Sequence, residues 1–157
     1  MTPSRLGAVA LVVALAVDQA TKQVALDAFS HLAPVRLLPV LELTLAWNRG
    51  VSFGFFGAGG VPAWAFILLS LAISAVLLRL MTKSGTSVEA AGYGLIVGGA
   101  VGNAIDRGIY GAVIDFIHVF YGAWSFPVFN IADTAITCGV GLILIDSLWP
   151  RPASTTS

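Results

Sequence analysis

Long apolar runs, broken by short polar clusters, dominate the chain and mark four segments long enough to cross a bilayer. Such a helix needs about 20 residues. The first segment covers about 5–27. Its purely apolar part, Leu6 to Val17, is too short alone, so it spans only by carrying Asp18 and Lys22 at one end. The second covers about 61–81 and opens with Pro62, which suits a first helical turn. The third, about 88–105, is glycine-rich. The fourth, about 130–149, is stopped by Pro150 and Pro152. In the third, Ala90, Gly94, Gly98 and Gly102 recur every four residues, a spacing that lets helices pack closely in lipid.

Between the first and second spans the period changes. Leu41, Leu43, Leu45 and Trp47 alternate with Glu42, Thr44 and Asn48, the pattern of a half-buried strand. The stretch Ala112 to Phe120 is β-branched and aromatic and predicts a second strand, with Asp115 on the face of Val113 and Ile117. The expected architecture is a membrane all-α protein in one domain, 1–157. Four transmembrane helices carry a small extracytoplasmic β-sheet built from the loops between spans 1–2 and 3–4.

Charge orients this arrangement. The termini and the short loop after span two hold Arg5, Arg79, Lys83 and Arg151, against Arg36, Arg49 and Arg107 in two much longer loops. The positive-inside rule then expects cytoplasmic termini and long loops outside. A cleaved signal peptide at Ala14-Leu15-Ala16 is the rival for span one. Asp18 and Lys22, four apart on one helical face, favour a retained helix.

Composition agrees with the spans. The 157 residues are 57% hydrophobic and 10% charged, with mean hydropathy +0.91. Soluble domains carry about 25% charged residues. A net charge of zero implies no bulk attraction to nucleic acid or anionic lipid. One cysteine, Cys138, permits no internal disulfide, and His31 and His118 are too scattered for a metal site. No metal or cofactor is expected.

The acids hold the candidate chemistry. Asp115 and Asp133 are the two in apolar surroundings beside the outer face. Two carboxylates brought together cannot both ionise readily and share a proton. Such a pair can hydrolyse an amide, one group taking a proton from water and the other protonating the carbonyl oxygen and then the leaving amine. Each acid also has a plainer reading. Asn130 is a good N-cap with Asp133 at N3, a capping-box spacing, and residue type alone favours the cap. Asp115 reads as a polar residue on a wet strand face. Asp18–Lys22 reads best as an interfacial ion pair. Asn103, Asp106 and Arg107 read as a solvated span end, although Asn103 and Arg107 share a face suited to bonding a loop or a substrate carbonyl. Asp146 reads as interfacial and inert. The stretch Gly50 to Gly54 matches a G-x-S-x-G nucleophile elbow at Ser52, but the residues after it, FFGAGG, are loop-like, whereas the elbow needs a helix.

Five motifs then occur in order: DQATK closing span one, NRGVSFG in the first outer loop, GGAVGNAIDR closing span three, VIDF in the second loop and FNIADTAI opening span four. Together they resemble the lipoprotein signal peptidase family, signal peptidase II, over nearly the whole chain. The resemblance implies an aspartyl endopeptidase of the bacterial inner membrane, active on its extracytoplasmic side. It would remove the signal peptide from diacylglyceryl-modified prolipoproteins, cleaving just before the lipidated cysteine. It implies Asp115 and Asp133 as the catalytic dyad. It implies Asp18, Lys22, Asn48, Gly50, Gly99, Asn103, Arg107, Asn130 and Ala132 as residues that bind substrate or support the dyad. It also implies inhibition by globomycin-type cyclic peptides, with membrane lipid and the prolipoprotein as partners of a monomer. Asp133, at a helix N-terminus, is expected to be the more acidic of the two. The rivals are a small transporter or proton-conducting subunit, since intramembrane acids often mark ion paths, and a serine peptidase using Ser52 with His118.

Overall fold

The computed structural model describes residues 1–30, 33–50 and 61–148. Ser52 and Gly54 of the elbow match, together with His31, Trp149, Pro150, Arg151 and Pro152, lie outside the described residues. Four helices form: α1 (Pro3–Phe29), α2 (Ala63–Lys83), α3 (Ser87–Tyr110) and α4 (Ile131–Leu148). Each is long and apolar enough to cross a membrane. Four strands accompany them: β1 (Val35–Leu38), β2 (Leu41–Asn48), β3 (Val113–Tyr121) and β4 (Trp124–Ser125). They make one antiparallel sheet in the order β1-β2-β3-β4.

Helix α3 is the centre of the bundle and packs against α1, α2 and α4. Its small residues make this possible. A Cβ on Gly98 would meet the Leu11 carbonyl of α1 at 2.6 Å. One on Gly92 would meet the Gly139 carbonyl of α4 at 2.8 Å. The repeat seen in the sequence therefore serves α1, and a second set of glycines serves α4.

Helix α3 runs to Tyr110, five residues past the end expected from hydropathy. The polar residues at the expected end are buried instead of solvated, Asn103 at 8% and Asp106 at 1% exposure. Satisfied inside the protein, they need no water and the helix continues. Asp106 and Arg107 thus belong to the helix, not to a loop. Gly111 ends it with φ of 71° and an N–H bonded to the Arg107 carbonyl, and the chain turns at once into β3.

The sheet is larger than expected, because β1 and β4 join the two anticipated strands. Both are short, and β1 is exposed throughout. The expected alternation in β2 fails, since a register shift between Leu43 and Ala46 bulges the strand. Trp47 is consequently exposed at 47%, its ring edge-on to Tyr110. His118 bridges three strands, bonding Glu42 at 2.8 Å and Ser125 at 2.7 Å. Asp146 also departs from its inert reading: it accepts the Thr86 hydroxyl at 2.7 Å, and that hydroxyl in turn caps α3 by accepting the Glu89 N–H.

Candidate active site

The two acids arrive from different elements. Asp115 lies within β3, opposite Ala46 of β2, and Asp133 lies in the first turn of α4. Asn130 joins them. Its backbone N–H donates to Asp133 Oδ2 at 3.3 Å, and its side-chain oxygen accepts the Asp133 N–H at 2.9 Å. That is the reciprocal capping box expected from the spacing. The other half of the same amide, Nδ2, donates to Asp115 Oδ1 at 2.6 Å and reaches the Ile114 carbonyl at 3.2 Å. The cap and the carboxylate pair are therefore one construction.

Two further asparagines repeat this logic. Asn48 accepts the Gly50 N–H on its oxygen at 2.9 Å, which leaves Nδ2 to donate to Asp115 Oδ2 at 3.0 Å. Gly50 has φ of 91°, and a Cβ there would lie 2.6 Å from the Phe66 ring. Only glycine fits both constraints, which is why Asn48 and Gly50 come as a set. Asn103 accepts Lys22 Nζ at 2.9 Å and Asn130 Nδ2 at 3.2 Å on its oxygen, so its Nδ2 is turned to Asp133 Oδ1 at 2.9 Å. In all three residues a donor occupies the amide oxygen and the nitrogen is aimed at an aspartate. These partners decide each amide's orientation.

The Asp115 side is dry. Asp115 is 2% exposed, which overturns the wet-face reading, and Asn130 is 0% exposed. Burial pushes the Asp115 carboxyl up from its ordinary 3.8 to about 6. The Asn48 hydrogen bond pulls it back, the Asp133 charge pushes it up, and the Asn130 bond and the Lys22 charge pull it down. Asp133 is half-buried.

Lys22 and Asp18 form the expected ion pair, but it is buried inside the protein. They are 2% and 0% exposed. The Lys22 ammonium meets Asp18 at 2.8 Å and Asp106 at 2.7 Å, besides Asn103. Asp106 is the member of this cluster that the motif reading passed over as a solvated span end. Its signal was its place one turn beyond Asn103 on a glycine-rich helix. Gly99 and Ala132 are the contact between α3 and the start of α4: a Cβ on Gly99 would meet the Ala132 carbonyl at 2.5 Å. Arg107 is half-buried, donates to the Asn103 carbonyl at 3.2 Å and lies over the Phe66 ring at 5.0 Å. Its Nε has no hydrogen-bond partner among the described residues.

Asn103 and Arg107 form the polar end of a cleft of about 280 Å³ between α2, α3 and α4. The rest of its wall is almost wholly apolar, from Phe66, Leu69 and Ile73 of α2 to Ile136 of α4. Among the described residues no cluster of acids, histidines or cysteines could hold a metal ion.

Comparison with known proteins gives a consistent answer. The family model described as signal peptidase (SPase) II matches residues 10–149. The lipoprotein signal peptidase of Methylorubrum extorquens (strain PA1) is 44% identical, over 100% of this chain and 94% of its own length. That of Nitrobacter hamburgensis is 47% identical, over 98% of each chain. A solved bacterial membrane enzyme, determined by the in meso method, matches with TM-score 0.79 at 28% identity, covering 92% of this chain and 94% of that one.

Proposed function

The chain belongs to the signal peptidase II family, and from that premise we propose that it is an aspartyl endopeptidase of the bacterial inner membrane. Its substrates are diacylglyceryl-modified prolipoproteins, cut just before the lipidated cysteine. The observation that carries the aspartyl reading is Asn130, one buried residue whose backbone N–H holds the Asp133 carboxylate and whose side-chain amide holds that of Asp115, with Asp115 raised to about 6.

Asp133 stands at a helix N-terminus and accepts two N–H donors, which suits an ionised carboxylate. It takes a proton from the attacking water. Asp115, in the drier place, begins protonated and gives its proton to the scissile carbonyl oxygen. The tetrahedral intermediate then collapses: its C–N bond breaks, the proton accepted by Asp133 goes to the leaving amine, and a hydroxyl of the gem-diol returns its proton to Asp115 as the new carboxyl forms. The pair is thereby restored with one proton between two groups. Arg107 lines the cleft's polar end, where its guanidinium can take a substrate carbonyl. The apolar cleft suits the signal peptide's own membrane segment, admitted sideways from lipid. Cytoplasmic termini and an extracytoplasmic sheet follow from the basic residues near the termini.

The test is cleavage of a lipidated prolipoprotein by purified Asp115→Asn, Asp133→Asn and Ser52→Ala proteins. Both Asn variants should be inactive and Ser52→Ala active. Turnover in either Asn variant would sink the dyad, loss in Ser52→Ala alone would revive a serine mechanism, and proton flux without cleavage would favour a transporter.

A further inference from the structure

Each aspartate of the pair is preceded by a residue whose backbone N–H is held by another carboxylate. The Ala132 N–H, just before Asp133, donates to Asp18 Oδ1 at 2.8 Å. The Ile114 N–H, just before Asp115, donates to Asp106 Oδ2 at 3.2 Å. Both carboxylates bind the same ammonium, Lys22 Nζ, at 2.8 and 2.7 Å. The third proton of that ammonium goes to Asn103 Oδ1 at 2.9 Å, the amide that faces Asp133. Lysine has three donors and no more, so Lys22 is saturated. Gln19 closes the set, donating to Asp18 Oδ2 at 3.2 Å and Asp106 Oδ1 at 3.1 Å.

We propose that Asp106 is a positioning residue for the cleavage reaction: with Lys22 and Asp18 it forms a buried strut that sets the distance between the β3 and α4 segments bearing the two aspartates. This rests on the aspartyl reading above. Asp106 bonds to the backbone at Ile114 and to Lys22 and Gln19, not to either aspartate side chain, so it acts through the backbone of the residue just before Asp115. Stability alone does not explain the arrangement. Burying one ammonium between two carboxylates is a costly way to join helices, and apolar packing of similar volume often does it as well. What the strut supplies is position, because each carboxylate grips the backbone N–H of the residue just before a catalytic aspartate.

Misplacing a reacting group by about 1 Å can cost about 10²-fold in rate. Asp106→Ala removes the acceptor of both Ile114 N–H and Lys22. Asp106→Asn keeps an acceptor oxygen for both but turns an NH2 toward the Gln19 amide. The experiment measures kcat of the purified full chain on a lipidated prolipoprotein, counted per molecule that binds an uncleavable lipidated peptide. That normalisation removes unfolded protein from the result. Asp106→Ala should lose about 10²-fold in kcat and Asp106→Asn about 10-fold, with the peptide's Kd unchanged in both. Wild-type kcat in a folded variant overturns the proposal, as does a loss that appears only in Kd. If Asp106→Ala does not fold, Asp106→Asn decides alone by the same two criteria. Asp115→Asn and Asp133→Asn are assayed alongside. Turnover in those would overturn the aspartyl reading, whereas their inactivity beside an unaffected Asp106→Asn would overturn the strut only.

Discussion

Asn130 is where helix capping and the carboxylate pair can be separated by experiment. Its oxygen caps α4 through the Asp133 N–H, and its nitrogen serves Asp115. Serine is also a good N-cap but carries no amide donor. Asn130→Ser should therefore keep the cap and lose the Asp115 bond, while Asn130→Ala loses both. A cap contributes about 1 kcal/mol. A hydrogen bond to the protonated Asp115 carboxyl contributes about 0.5–1.5 kcal/mol. Both variants should then be less stable than wild type, and Ala lower than Ser by about 1 kcal/mol in denaturant melts of the purified protein. Their catalytic losses should instead be equal, about 10²-fold in kcat, if the loss comes from a misplaced Asp115. The pH profile adds a signed test. The Asn130 bond holds the Asp115 carboxyl below where burial alone would put it, so losing that bond raises it further above about 6. Asp115 must hold its proton to act as the acid, so the alkaline limb of kcat/KM should move to higher pH. Wild-type turnover in Asn130→Ser, or an alkaline limb moved to lower pH, would refute the reasoning.

Asn48→Ala should shift the same limb upward, because its hydrogen bond is the largest influence opposing burial at Asp115; a titration of kcat/KM reads this directly. Gly99→Ala should destabilise the α3–α4 contact by about 1–3 kcal/mol, since the new methyl meets a carbonyl at 2.5 Å. Gly141→Ala, with nothing within 4 Å, should be neutral or gain about 0.5–1 kcal/mol, and thermal melts of the pair compare them. Thr86→Val removes the α3 cap and the bond to Asp146, so it should lower stability by about 1 kcal/mol and leave kcat unchanged.

The spans were legible because twenty apolar residues are hard to mistake, β2 because its sequence alternates apolar and polar residues although its burial does not, and β3 because its residues are β-branched and aromatic. The extra turn of α3 was not legible. Asp106 and Arg107 look like the end of a span until their partners on α1 and β3 are known, and no local pattern announces a partner far away in sequence. The same limit hid the nature of Asp18 and Lys22. Their spacing of four suggested an ion pair, which formed, but its burial depends on Asp106 and Asn103 from another helix. Strands β1 and β4 were missed because four and two residues are too few to show a period. The capping box at Asn130 was read from spacing because both partners lie within one turn. What spacing could not tell is that the unused half of the amide reaches β3.

Helix α2 stands apart from the other three in having only Ser74 and Met81 buried. Its contribution to the cleft is Phe66, Leu69, Ser70 and Ile73, with a single hydroxyl among them. A wall of hydrocarbon gauges an occupant by girth and oiliness and is blind to the order of its letters. Almost no information is stored there. If the proposed cleft holds the signal peptide, a search for clients by sequence motif should disregard the stretch along α2 and score only the few residues that would reach Asn103 and Arg107.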